Sequence, residues 1–363
     1  SNEGGWNDCD KVRFRAGFPE KIGGWQKFAI NTYLGTARAL HPFVALDKSR
    51  YLGVGTNKKY YIHEGGAFYD ITPVRLTTSA GDATFDATNA SSTITVTENG
   101  HGAIAGDFVT FSGAATLGGV ITANVLNQEY EVVTVTDDNT YTITARAATT
   151  TISSITVDGA LSFTPLAANS SDSGSGGSST VAKYQINAGL DTSVTGNGWG
   201  AGTWGRGTWD SDADLSVTSA ILRIWTHDNF GEDLIINVRD GDIFYWDTSV
   251  GLDTRSVKLS TRTNADAGTP TIAKQAIVSD VDRHVIAFGC DAVGSIGTQD
   301  PLLIRFSSQE DPTTWIPSAT NTAGDLRLGS GSEIITAVET RQQILVITDV
   351  SVHSMQFLGP PFT

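Results

Sequence analysis

Apolar residues recur along this chain in short runs separated by polar turns, and their period is two, that of a strand, more often than the 3.6 of a helix. Four segments share one pattern: an apolar strand, a polar turn, an aromatic-rich strand and a closing turn. The first has runs at 51–56 and 58–63, turns at Glu64-Gly65-Gly66 into 67–71, and ends at Thr72-Pro73. The second runs 234–238, turns at Arg239-Asp240-Gly241-Asp242 and continues as 243–247. The third joins 284–289 to 302–307 across a loop, and the fourth joins 344–348 to 352–357. Gly-Gly and Asp-Gly between alternating apolar runs are strong hairpin signals. The longest helical candidate, 334–347, reads equally well as two strands.

The last three units begin at 234, 285 and 344, spacings of 51 and 59 residues. Such spacing fits four-stranded propeller blades with long loops. The distance from 52 to 234 is too long for one blade, so an insertion is expected there. Its composition marks it: residues 75–165 are rich in Thr, Ala and Val, and the Ser/Gly-rich run 170–179 follows. The chain therefore divides into an amino-terminal segment with a first blade (1–74), an inserted small β-barrel or sandwich-like domain (75–165), a flexible linker (166–180) and the remaining blades (181–363). The 257 residues left without 75–180 amount to about five or six blades at roughly 40–50 residues each. The expected fold class is all-β, a β-propeller interrupted by an inserted β domain.

Composition agrees with many short strands and tight turns: 39 glycines, only 10 prolines, and Thr, Ser, Val and Ile throughout. Charge adds an asymmetry. Residues 1–60 carry ten Lys/Arg against five Asp/Glu, a net of +5, so the remainder carries −20 of the total −15. An acidic body does not hold nucleic acid by counterion release, although the wall of a DNA channel has no need to grip. Lys11, Arg13 and Arg15 alternate around Phe14, which places three cations on one face of a strand. They are candidate contacts to DNA or, in the reading favoured for charge runs, to acidic surface on a neighbouring subunit. Cys9 and Cys290 allow at most one disulfide and no metal spacing. No run approaches the roughly 20 apolar residues of a membrane helix. The chain does not begin with Met and stops just after a strand-like run, so a fragment or processed product is expected.

Several stretches resemble proteins of tailed phages. Residues 8–17 (Asp-Cys-Asp-Lys-Val-Arg-Phe-Arg-Ala-Gly), running into 19–25, resemble the opening of podovirus tail-hub proteins, the group that includes the packaged-DNA stabilisation proteins. Residues 306–315 continuing to 319–324 are similar to a propeller segment of that group, as is 197–205. Within the insertion, His101-Gly102 through 106–113, with 127–132, resembles a small β module of phage structural proteins. The resemblance implies a virion protein of the viral tail, a hub or nozzle through which DNA is ejected and behind which packaged DNA is retained. It further implies a homo-oligomeric ring of six copies. Portal or adaptor proteins would lie above it and distal tail or fibre proteins below, with duplex DNA passing transiently through the lumen. No enzyme activity and no cofactor are expected. Trp199, Trp204 and Trp209, interleaved with glycine, are candidate interface anchors; the alternative is a buried turn cluster closing two blades.

The leading enzymatic alternative is a propeller-type tail protein that binds or degrades host-surface glycans. Residues 308–315 resemble the Ser-x-Asp-x-Gly-x-Thr-Trp turn of sialidases, but Glu310 and Pro312 replace its Asp and Gly. That turn is remote from sialidase chemistry and speaks for blades. Asp210, Asp212 and Asp214 have the opening spacing of a calcium loop, which then fails at Leu215 and Ile221. The six histidines include no pair at ligand spacing, and His101, preceding Gly102, reads as structural. There is no nucleophile elbow and no phosphate-binding loop, and the Gly196–Gly200 stretch opens no helix.

Overall fold

The computed structural model describes residues 10–24, 28–29, 31–148, 163–189, 222–280, 282–341, 343–357 and 359. Among them lie 25 strands in seven sheets, every pairing antiparallel, with one four-residue α-turn (α1, Ala123–Leu126) and two 3-10 turns. The all-β expectation holds.

The chain enters through a hairpin, β1 (Val12–Arg15) with β2 (Phe18–Lys21). Sheet I is a four-stranded meander, β3 (Ala37–Val44), β4 (Arg50–Thr56), β5 (Tyr60–Glu64) and β6 (Ala67–Asp70). Gly65 and Gly66, at φ +59° and +91°, make the β5–β6 turn, which needs two left-handed residues. The insertion follows as β7 (Val74–Thr77), β8 (Thr84–Ala87), β9 (Thr93–Thr97), β10 (Phe108–Ser112), β11 (Glu129–Glu131), β12 (Thr134–Asp137), β13 (Thr140–Thr144) and β14 (Val181–Gln185). Sheet II comprises β15 (Trp225–Phe230), β16 (Asp233–Val238), β17 (Ile243–Trp246) and β18 (Val257–Lys258). Sheet III comprises β19 (Ala273–Val278), β20 (Val285–Cys290), β21 (Leu303–Phe306) and β22 (Gly324–Arg327). Sheet IV has three strands, β23 (Ile334–Glu339), β24 (Ile344–Thr348) and β25 (Val352–Met355), so the 334–347 segment is two strands.

Sheets I to IV stack face to face in chain order. Alternation within each strand supplies both faces. In sheet III, Val285, Ala287 and Leu303 pack toward sheet II, while Ile286, Phe288, Ile304 and Phe306 pack toward sheet IV. In sheet II, Ile235, Ile243 and Tyr245 face sheet III, and Leu234, Ile236, Phe244 and Trp246 face sheet I. A strand covered on both sides reads as an unbroken apolar run, which is why 234–238 and 285–290 carry little polar alternation. Burying each such side chain contributes about 1.5–3 kcal/mol. Contacts between successive sheets concentrate on their first and second strands. Gly55 on β4 lets Trp225 lie flat against sheet I, where a Cβ would meet the indole at 2.6 Å.

The insertion is a two-sheet sandwich with strand orders β11-β10-β14-β7 and β12-β13-β9-β8. Ile94, Val96, Tyr141 and Ile143 point inward between outward threonines, meeting Phe85, Phe111, Tyr130 and Tyr184 in one core. Its first and last strands pair, Leu76 opposite Tyr184, so it enters and leaves sheet I's end through neighbouring strands. The Ser/Gly-rich run expected as a flexible linker is part of this domain's wall. Asp172 accepts hydrogen bonds from the backbone N–H of Gly119 (2.8 Å), Val120 (3.0 Å), Ile121 (2.9 Å) and Asn169 (2.8 Å). The carbonyls of Ser175 and Gly176 accept from Phe85 and Ala115. The insertion therefore closes at β14, twenty residues beyond the expected boundary at 165. Outside the insertion and the hairpin, the described residues form four stacked sheets.

Candidate functional site

The described residues present three chemically distinctive places: the amino-terminal hairpin, the joint between insertion and stack, and the seams between sheets. In the hairpin, Arg13 and Arg15 do share a strand face, opposite Glu20 and Phe18. Lys11 does not belong to that face, because it precedes β1 with φ +58° and so leaves the alternation. Arg13 Nε donates to Glu20 Oε2 at 2.9 Å, and Lys11 Nζ lies 3.4 Å from Asp10. Arg15 stands beside Phe18, which is 76% exposed. Both strands are exposed over almost their whole length.

The joint is held by a buried ionic network. Lys59 Nζ sits 2.6 Å from Asp70 Oδ2 and 2.7 Å from Glu129 Oε2, with its side chain only 1% exposed. Arg255 reaches the same two carboxylates at 3.1 and 3.2 Å. Two cations thus balance two anions drawn from sheet I, the insertion and the loop leading into β18. The Lys59 ammonium also lies 4.4 Å over the Phe108 ring. Burial pushes the Asp70 carboxyl up, but the Lys59 and Arg255 charges, with hydrogen bonds from Lys59 and Thr72, hold it below the ordinary range. Lys58 makes a second, half-exposed bridge to Glu131 at 2.9 Å. Gln185 completes the joint by donating to Glu129.

At the seam of sheets I and II, the His41 and His227 rings lie 4.7 Å apart. His41 contacts Asn229 Oδ1 at 2.6 Å and Tyr60 OH contacts His227 Nδ1 at 3.0 Å. Burial first, and the charge on His41 second, lower the His227 pKa to about 3, so it is neutral here. The sialidase-like turn is a structural corner. Asp311 accepts from Thr313 and Thr314, and Trp315 is fully buried with its indole N–H donating to Pro312 O at 2.8 Å. His101 is buried too: its Nδ1 accepts from Ala103 N–H, and its carbonyl accepts from Arg75, as expected of a turn residue. Cys290 is a buried free thiol, its pKa pushed up to about 12 by burial.

No group of three or more metal-ligating side chains occurs among the described residues. Among them no helix is long and apolar enough to cross a membrane. Trp199, Trp204 and Trp209, the 196–200 stretch and the 210–214 acidic run lie outside the described residues. Sequence reasoning missed the ionic joint. The one local signal is parity: Lys59, just before β5, keeps the alternation of the buried Tyr61 and His63.

No family model matches the sequence, and no curated protein does. Among solved structures the chain is similar to a phage phi92 endosialidase at 14% identity, with a TM-score of 0.24. The match covers 91% of this chain and spans 43% of the endosialidase chain. A likeness at that score carries no weight in the reading below.

Proposed function

We propose that this chain is a structural subunit of a short-tailed phage tail, part of the hub or nozzle that conducts DNA out of the head and retains it beforehand. In this reading the stacked meanders belong to a β-propeller, copies of the chain form a closed ring of six, and DNA passes along an acidic lumen. Portal or adaptor proteins and distal tail or fibre proteins bind its two ends. It performs no catalysis and takes no cofactor.

The observation that carries the proposal is the exposed hairpin of β1 and β2, which lies in the segment bearing the tail-hub likeness. A two-stranded ribbon exposed on both faces is marginal alone. It gains order by docking on something else. Its cations, Lys11, Arg13, Arg15 and Lys21, outnumber Asp10 and Glu20, while the chain beyond residue 60 carries −20. A basic arm on one copy and an acidic body on the next make a head-to-tail contact, the kind that closes rings. The acidic body also suits a conduit, since it repels phosphate and lets DNA slide.

Arg13→Glu with Arg15→Glu tests this. The unaltered chain should form rings, and the charge-reversed chain should remain folded but monomeric. Rings that persist in the variant would remove the hairpin as the docking element. A trimer that binds or cleaves host polysaccharide would replace the conduit with the glycan-binding reading.

A further inference from the structure

Sheets I, II and III each have four strands, and sheet IV has three. Among the described residues nothing pairs with the far edge of β25, whose outward N–H and C=O groups can take a further strand. Beside that edge, where β22 and β25 part at the rim of sheets III and IV, lies a cavity of about 290 Å³. Its wall is mainly apolar, with Ile286, Ile304, Phe306, Leu328, Val346 and Met355.

One polar atom in this wall, on His284, has no hydrogen-bond partner among the described residues. His284 is only 3% exposed and lines the cavity. Its Nδ1 lies 2.7 Å from the Ser307 carbonyl, which can only accept, so Nδ1 carries the proton. Nε2 is buried without any hydrogen bond among the described residues, and in the tautomer with its proton on Nδ1 it is an acceptor. The ring is fixed between Phe306 and Phe357, with centroids at 6.0 and 4.9 Å. A buried acceptor without a donor is costly, and native proteins rarely leave one.

We propose that an extended peptide segment of a partner protein adds as a fourth strand on the edge of β25 and sets a tyrosine side chain in the cavity. The phenol hydroxyl donates to His284 Nε2 while its ring meets the Ile, Phe and Leu wall. The cavity lies under the inward face of β25, whose His353 and Met355 line it, so a neighbouring strand's inward side chain falls there. Asp325 at the same cavity favours a peptide with basic flanks. The site stands on its own geometry, independently of where in a virion the chain works.

The test uses the full chain and a synthetic peptide, acetyl-Lys-Thr-Val-Thr-Tyr-Thr-Val-Lys-amide, with versions carrying Phe or Ala in place of Tyr. The Tyr peptide should slow amide exchange across Val352–Met355, and should bind about tenfold tighter than the Phe peptide, the effect of one buried hydrogen bond. The Ala peptide should bind more weakly still. His284→Phe should still bind but no longer distinguish Tyr from Phe. Should that variant misfold, Leu326→Arg serves instead, since Leu326 lines the cavity and is 56% exposed, and it should block all three peptides. Unchanged exchange with every peptide, or equal Tyr and Phe affinity in the unaltered chain, would overturn the proposal. So would protection of β25 without peptide: rising with protein concentration it would assign the edge to a second copy, and constant it would assign it to the chain's own residues.

Discussion

Replacing Lys59 by Met removes one of the four charges that join the insertion to the stack. Each Lys59 contact, at 2.6 and 2.7 Å, is worth about 6 kcal/mol of gross attraction at an effective dielectric of about 20. Most of that offsets the desolvation of a side chain 1% exposed. The net loss follows from what remains: Asp70 and Glu129 facing a single Arg255, one anion uncompensated in a largely buried place. Breaking a buried pair in this way costs about 3–5 kcal/mol. Lys58→Met in the same interface removes a pair whose side chains are 24% and 29% exposed, so about 0–1 kcal/mol is expected. Urea denaturation followed by tryptophan fluorescence and by far-ultraviolet circular dichroism measures both. Adding Glu129→Gln to Lys59→Met should restore part of the loss by rebalancing the charges. A Lys59→Met loss below about 1 kcal/mol, or one equal to that of Lys58→Met, would refute the argument from burial.

Asp172→Ala leaves four backbone N–H groups without their carboxylate and should destabilise the insertion by about 2–3 kcal/mol; a flexible linker would show no change in the same denaturation curve. His227, with its pKa lowered to about 3 in the fold, takes up its proton more readily when unfolded, where it titrates near 6.5. The stability it contributes is full above pH 6.5 and is lost as pH falls toward 3, by about 2 kcal/mol after allowance for its partial exposure. Unfolding measured at pH 7 and pH 4 should show that loss, and His227→Gln should shrink it. Cys290, buried and with its thiol pushed up to about 12, should resist iodoacetamide in the folded protein and react in urea, as read by peptide mass mapping.

The strands were legible where local chemistry decides them. The Glu64-Gly65-Gly66 and Asp240-Gly241 turns fall between paired strands, where Gly65, Gly66 and Asp240 take the left-handed conformation. The apolar runs at 234–238 and 285–290 are strands buried on both faces, as their length and β-branched content imply. What was not legible depends on partners distant in sequence. The run at 170–179 has a linker's composition, yet Asp172 gathers N–H groups about fifty residues earlier, a bond that leaves no local pattern. Lys59 reads as one more member of the 58–63 run, because its partners Glu129 and Asp70 and their second cation Arg255 are brought together only by the fold. Lys11 joins its strand only if the alternation extends back through it, and its φ of +58° makes the strand start one residue later, at Val12.

The central claim is that copies of this chain close into a conduit. Sedimentation velocity on the full chain, paired with class averages of negatively stained particles, tests it most directly. The account predicts rings of six subunits around a hole of roughly 20 Å or more, wide enough for duplex DNA, that come apart at high salt as screening shortens the reach of the hairpin's charges. A stable trimer with no central hole would contradict it.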